Sequence, residues 1–241
     1  MRLFLLIVIT FCLSWNDLLA QHFELGSWNI LNIKFNQNQK LSFFGEAQLR
    51  SLKFYNNFHY YEYKGGFNYK VYKNVLLTVG TGSYQTYKEG GDFVLPKNND
   101  EFRIWPQLNF SHAIGSLKLE QRYRAEFRFT QNYGYLNRYR YRLGISYPFG
   151  RARDDYKPFQ ISVSNEIFLR QIEPNYERNR ALFALNYKPS QATTIQLGYI
   201  RQSDYKINDE TGRTFFQIGY FIEVAPKKSH ITAIDTDIKD N

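Results

Sequence analysis

Polar and apolar residues alternate along Leu117–Phe129. Leu117, Leu119, Tyr123, Ala125, Phe127 and Phe129 hold odd positions, with Gln121 between them, while Lys118, Glu120, Arg122, Arg124, Glu126 and Arg128 hold the even ones. Only a strand puts these two sets on opposite faces; a helix would mix them around its circumference. The next segment repeats the pattern, with Tyr139, Tyr141, Leu143, Ile145 and Tyr147 opposing Arg138, Arg140, Arg142, Gly144 and Ser146. Leu41–Arg50 alternates in the same way, placing Glu46 and Arg50 on the polar side. So does Phe159–Arg170, with Glu166 and Arg170 polar and Asn165 interrupting the apolar side. Less regular alternation covers Tyr61–Val71, Val75–Tyr87, Phe102–Phe110, Asn179–Tyr187, Thr194–Ile200 and Thr214–Ile222. A first strand near Gly26–Phe35 brings the candidates to eleven.

The connections differ in length. Those at 35–40, 70–74, 113–116 and 188–191 are short, whereas Lys88–Asp100, Gln171–Glu177 and Ser203–Arg213 are longer and rich in Gly, Pro, Asn and charge. Tight turns on one rim and long loops on the other describe an outer-membrane barrel, although Gly150–Pro158 is long where a short turn is expected. Bacterial single-chain barrels have even strand numbers. The expected fold is therefore all-β, an antiparallel transmembrane β-barrel of about twelve strands, with ten as the nearest alternative. His230–Ile238 could hide a further strand, but its acidic residues make it a poor wall.

The first residues read as an export signal. Arg2 precedes an apolar run from Leu3 to Leu13, and Ser14–Leu19 lead to Ala20, with Gln21 as the expected mature start. The run is short of the roughly 20 residues of a spanning helix, which argues against a retained anchor. The expected organisation is a signal peptide over 1–20, a barrel over 21–225 and a polar tail over 226–241. Cys12, the one cysteine, lies inside the signal, so neither a disulfide nor a cysteine-zinc site is expected in the mature chain. The formal net charge of +9 suits anionic partners. For an exported chain these are outer-membrane lipids and lipopolysaccharide phosphates, not nucleic acid; the barrel assembly machinery is the other expected partner. Oligomeric state is not legible.

Alternation alone also fits a water-soluble barrel. Aromatics at 18% of the chain, gathered near strand ends at Tyr60, Tyr61, Tyr63, Tyr84, Tyr87, Tyr133, Tyr135 and Tyr187, favour headgroup girdles. The segments are also longer than the five or so residues usual in a globular sheet, and arginine and glutamate on the polar faces would pair across a lumen. The runs Gly26-Ser27-Trp28-Asn29, Phe44–Arg50, Glu120–Arg124 and Asn137–Arg142 resemble the DUF2490 family of Bacteroidota. That resemblance implies an outer-membrane barrel without an assigned activity and supplies no catalytic residues.

Candidate chemistry is sparse. His22 and His230 lie near the chain ends, His59 reads as a rim residue in a loop, and His112 follows Ser111. A lipid-modifying hydrolase could use a Ser-His pair, but neighbours on a strand point to opposite faces. Glu120 and Glu126 share a face with Arg122, Arg124 and Arg128, where guanidinium groups hold carboxylates ionised; glycosidase chemistry needs one of the pair protonated. Gly65, Gly66, Gly80 and Gly82 fit bends or room for an interior side chain. No cofactor or metal site is expected.

The remaining candidate is a lumen charge cluster. Arg122, Arg124 and Arg128 adjoin Arg138, Arg140 and Arg142, joined by Arg50, Arg103 and Arg170. Glu46, Glu62, Glu120, Glu126 and Glu166 would neutralise them in part. Two readings follow, a structural or plugged barrel and a narrow anion-leaning channel.

Overall fold

The computed structural model describes residues 24–153, 156–206 and 209–225. The expected signal peptide over 1–20, the tail over 226–241, and His22 and His230 lie outside the described residues. Eleven strands follow one another: β1 (Leu25–Asn36), β2 (Leu41–Lys53), β3 (Asn56–Tyr72), β4 (Val75–Lys88), β5 (Val94–Ile114) and β6 (Leu117–Thr130), then β7 (Gly134–Phe149), β8 (Phe159–Arg170), β9 (Tyr176–Ser190), β10 (Thr193–Lys206) and β11 (Asp209–Val224). Each pairs antiparallel with the next, and the sheet closes into a barrel.

Closure resolves the parity problem. In an up-and-down chain of eleven strands the first and last run the same way, so their pairing has to be parallel. β1 and β11 pair so, from Leu25 opposite Thr214 to Phe35 opposite Val224. The described residues thus hold eleven strands, between the ten and twelve expected, because the seam is not antiparallel. Lys34 reaches Glu223 across it at 2.5 Å. On the other side of β1, the Ser27 backbone N–H donates to Ser51 Oγ at 3.1 Å and Trp28 Nε1 donates to Gln48 Oε1 at 2.8 Å.

The loop contrast is smaller than the sequence implies. β4 runs to Lys88 and β5 starts at Val94, while β10 runs to Lys206 and pairs with β11 from Asp209 onward. Most of Lys88–Asp100 and Ser203–Arg213 is therefore strand. Here polar residues occupy both faces, so the apolar alternation fades while backbone pairing continues. The rim at the start of β1 also carries the β2–β3, β4–β5, β6–β7, β8–β9 and β10–β11 connections and is called the upper rim. The other, at the end of β1, is the lower rim.

The exterior is apolar. Leu31, Ile33, Phe43, Phe67, Phe102, Ile104, Leu108, Phe127, Leu143, Val163, Phe183 and Leu197 are all exposed. Glu62, Glu101, Arg103, Glu126, Arg138 and Glu166 are buried inside. A soluble barrel would have the opposite distribution, and this one matches lipid outside and a polar interior. Aromatic rings cluster at both ends of the band. Phe58, Tyr61, Tyr87 and Phe93 contact one another near the upper rim, and Phe149, Phe159 and Tyr187 stack near the lower one. Even a 12-residue strand such as β8, tilted by about 40°, reaches about 30 Å along the axis, enough for the apolar band. Among the described residues no helix is long and apolar enough to cross a membrane, so the crossing is made by strands.

Inside, Gly80 on β4 makes room for Trp105 on β5: a Cβ there would fall 2.4 Å from the indole ring. This is the interior side chain that the glycine pattern of β4 anticipates.

Candidate functional site

The strands enclose a cavity of about 680 Å³. Thirteen arginine and lysine side chains line it against six carboxylates. Of the expected cluster, all but Glu120 and Glu126 line this cavity. Glu126 is buried in the charge network beside it, 1% exposed. Glu120 accepts from Arg142 Nη2 at 2.8 Å toward the lower rim. Arg170 turns to its own loop, where it donates to the Pro174 and Glu173 carbonyls at 2.9 and 3.0 Å.

One side of the lumen, from β5 to β8, is neutralised carboxylate by carboxylate. Strand register puts Arg122 opposite Arg142, Arg124 opposite Arg140 and Glu126 opposite Arg138. Glu126 accepts from Arg138 Nε at 2.8 Å and Arg140 Nη1 at 2.6 Å, with Arg124 at 3.5 Å and Arg103 at 3.9 Å. Glu101 accepts from Arg103 Nε at 2.7 Å and Nη2 at 2.9 Å, and from Arg128. Glu166 accepts from Arg140 Nε at 2.9 Å and from Arg122. Buried carboxylates survive desolvation only with such partners, and charge-assisted guanidinium forks supply them.

The opposite side, built from β1, β2, β9, β10 and β11, is less compensated. Arg50 Cζ lies 3.5 Å from the Trp28 ring centroid and 4.1 Å from that of Tyr60. Arg180 Cζ lies 4.7 Å from the same Trp28 ring and 5.0 Å from Phe168. Arg50 meets one carboxylate oxygen, Glu62 Oε2, at 3.2 Å; Glu62 is already bonded by Lys64 at 2.6 Å and by the Tyr60 hydroxyl. Arg180 donates to Gln202 at 2.8 Å and has Glu166 Oε2 only at 3.9 Å. The Nε atoms of Arg50, Arg122 and Arg180 are buried without hydrogen-bond partners.

His59 is not a loop residue. It sits in β3 where the register with β2 shifts, so it and Tyr60 are both buried and both line the cavity. The bulge places consecutive side chains inside, which period-two reasoning excludes. His112 is exposed on the outer face while Ser111 is half-buried, in keeping with opposite faces. Among the described residues no group of three or more His, Cys, Asp or Glu could hold a metal ion.

Several lining residues fall outside the expected cluster: Lys64, Glu101, Glu177, Arg178 and Arg180. Glu101 and Glu177 adjoin or fall within segments read as loops. Lys64 and Arg180 occupy inward positions of strands with irregular alternation, and that parity was the available signal.

Fold and lumen together define a membrane-spanning β-barrel with a charged interior. The family described as "Protein of unknown function (DUF2490)" matches residues 25–213, and the chain belongs to that family. A search of curated proteins finds no match. Two solved structures are similar. One, titled "NanC porin structure in rhombohedral crystal form", is 14% identical with a TM-score of 0.44, covering 73% of this chain and 84% of that one. The other, an anion-selective porin from Comamonas acidovorans, is 11% identical with a TM-score of 0.36, covering 74% of this chain and 55% of that one.

Proposed function

We propose that this barrel is a narrow, anion-leaning passive channel of the outer membrane, carrying small anions through its arginine-lined lumen. The carrying observation is the excess of thirteen cations over six carboxylates around one cavity in a lipid-crossing wall. Fixed positive charge between low-dielectric walls raises the local concentration of anions and repels cations. The expected cluster, including Glu46, Arg142 and Arg170, would set that field together with Lys64, Arg178 and Arg180. Export through the segment 1–20, insertion by the barrel assembly machinery, and contact of the rims with lipopolysaccharide phosphates fit the same placement. Purified protein in a planar bilayer should give discrete conductance steps that grow with salt. Silence across voltage and salt would remove the channel reading.

A second reading has its own observation. Toward the lower rim, buried and half-buried polar side chains on the inner face bond one another between neighbouring strands. Thr78 Oγ1 donates to Asn68 Oδ1 at 2.7 Å, Asn68 Nδ2 to Ser42 Oγ at 3.2 Å, and Gln196 Nε2 to Asn186 Oδ1 at 2.7 Å. A barrel closed there would hold an anion without conducting it. A silent bilayer with measurable anion binding would select this reading.

A further inference from the structure

We infer that the lumen holds a specific seat for a small organic carboxylate with an apolar body, built on Arg50, Arg180 and Trp28. The inference deepens the reading of the lumen as an anion path and rests on it. Two guanidinium groups stack against one indole, at 3.5 and 4.7 Å from its centroid. Each has only a loose claim on a carboxylate: Glu62 at 3.2 Å is shared with Lys64, and Glu166 at 3.9 Å is engaged by Arg122 and Arg140. Both side chains line the cavity, and each has a buried Nε–H with no acceptor. An unmet guanidinium donor in a part-desolvated site is costly, and a carboxylate satisfies it in a planar, forked geometry.

The second half of the seat is apolar, which is unusual for the inside of a polar barrel. Trp28, Ile200 and Phe215 form a buried cluster, and Ile30 and Leu182 pack on it while lining the cavity. Trp28 and Phe215 meet edge to face, with centroids 5.5 Å apart. Small-ligand sites typically combine such an apolar wall with a few convergent polar groups. Chloride or inorganic phosphate would use the arginines and ignore the apolar wall; an aromatic or branched carboxylate uses both. The neutralised side of the lumen offers no comparable pair: Arg122 also has a buried Nε without an acceptor, but it is bonded to Glu166, and its neighbours are committed to Glu101, Glu126 and Glu166.

Isothermal titration calorimetry of the purified protein in non-ionic micelles tests this with benzoate, acetate and benzamide. Benzoate should bind at least tenfold more tightly than acetate, which lacks the apolar body, and than benzamide, which lacks the charge. Arg180→Gln should weaken benzoate at least tenfold, and Lys53→Gln, at the rim, should leave it unchanged. Equal affinity for benzoate and acetate, or an unchanged Arg180→Gln, would overturn the seat. If Arg180→Gln fails to fold, Arg180→Lys keeps the charge without the planar fork and should still lose several-fold. The benzoate–acetate comparison on the unaltered protein decides independently of any variant. Benzoate binding with a silent bilayer would keep the seat and lose the channel, and anion current without a benzoate preference would do the reverse.

Discussion

Arg138 on β7 and Arg180 on β9 face the same cavity, yet they are held in opposite ways. Arg138 is 3% exposed and is gripped by Glu126 at 2.8 Å and Glu177 at 3.2 Å. Arg180 has a glutamine, two aromatic rings and a distant carboxylate. The β5–β8 side is therefore structural in character: its cations and anions cancel and fill space. The side built on β1, β2 and β9 keeps positive charge in reserve. The difference shows that the cation excess of the lumen is unevenly spread: it is concentrated where the fewest carboxylates share each guanidinium.

The comparison can be broken hardest at Glu126. Removing it by Glu126→Ala leaves Arg138 and Arg140 buried without their main partner, and should cost about 3–5 kcal/mol, read by denaturant or thermal unfolding in micelles. Gly80→Val acts through packing at the β4–β5 edge of that side. A Cβ 2.4 Å from the Trp105 ring forces displacement, with about 1–3 kcal/mol lost by the same assay. Arg180→Gln should do the opposite of Glu126→Ala. Stability should change by less than about 1 kcal/mol, since lost attraction to Glu166 at 3.9 Å is offset by relief from Arg50 across Trp28. Anion preference in bilayers should nevertheless fall. A destabilisation equal to that of Glu126→Ala would erase the distinction between the two sides. The smallest effect is expected at the seam, where Lys34→Gln breaks a half-exposed pair with Glu223 and should cost no more than about 1 kcal/mol.

The neutralised side was largely legible in the sequence, because β6 and β7 are consecutive, alternate cleanly and pair in register. Glu126 opposite Arg138 follows once both strands are recognised. The other side was not. Trp28 and Arg50 are opposite one another on the consecutive strands β1 and β2, but Arg180 on β9 is far along the chain and meets them only through closure of β1 on β11. A parallel seam between chain ends leaves no local pattern, and this is also why even parity pointed to twelve strands. Glu101 and Glu177 escaped for a different reason: near the upper rim water reaches both faces, so their strands lose the apolar signal. His59 escaped because a bulge turns two neighbours inward.

The most direct test is the zero-current potential of the purified protein in a planar bilayer under a potassium chloride gradient. With positive charge held in reserve along the lumen, the potential should shift toward the chloride equilibrium value, and Arg180→Gln should move it back toward zero. A shift toward the potassium value, or a bilayer that stays silent, would contradict an anion path through this barrel.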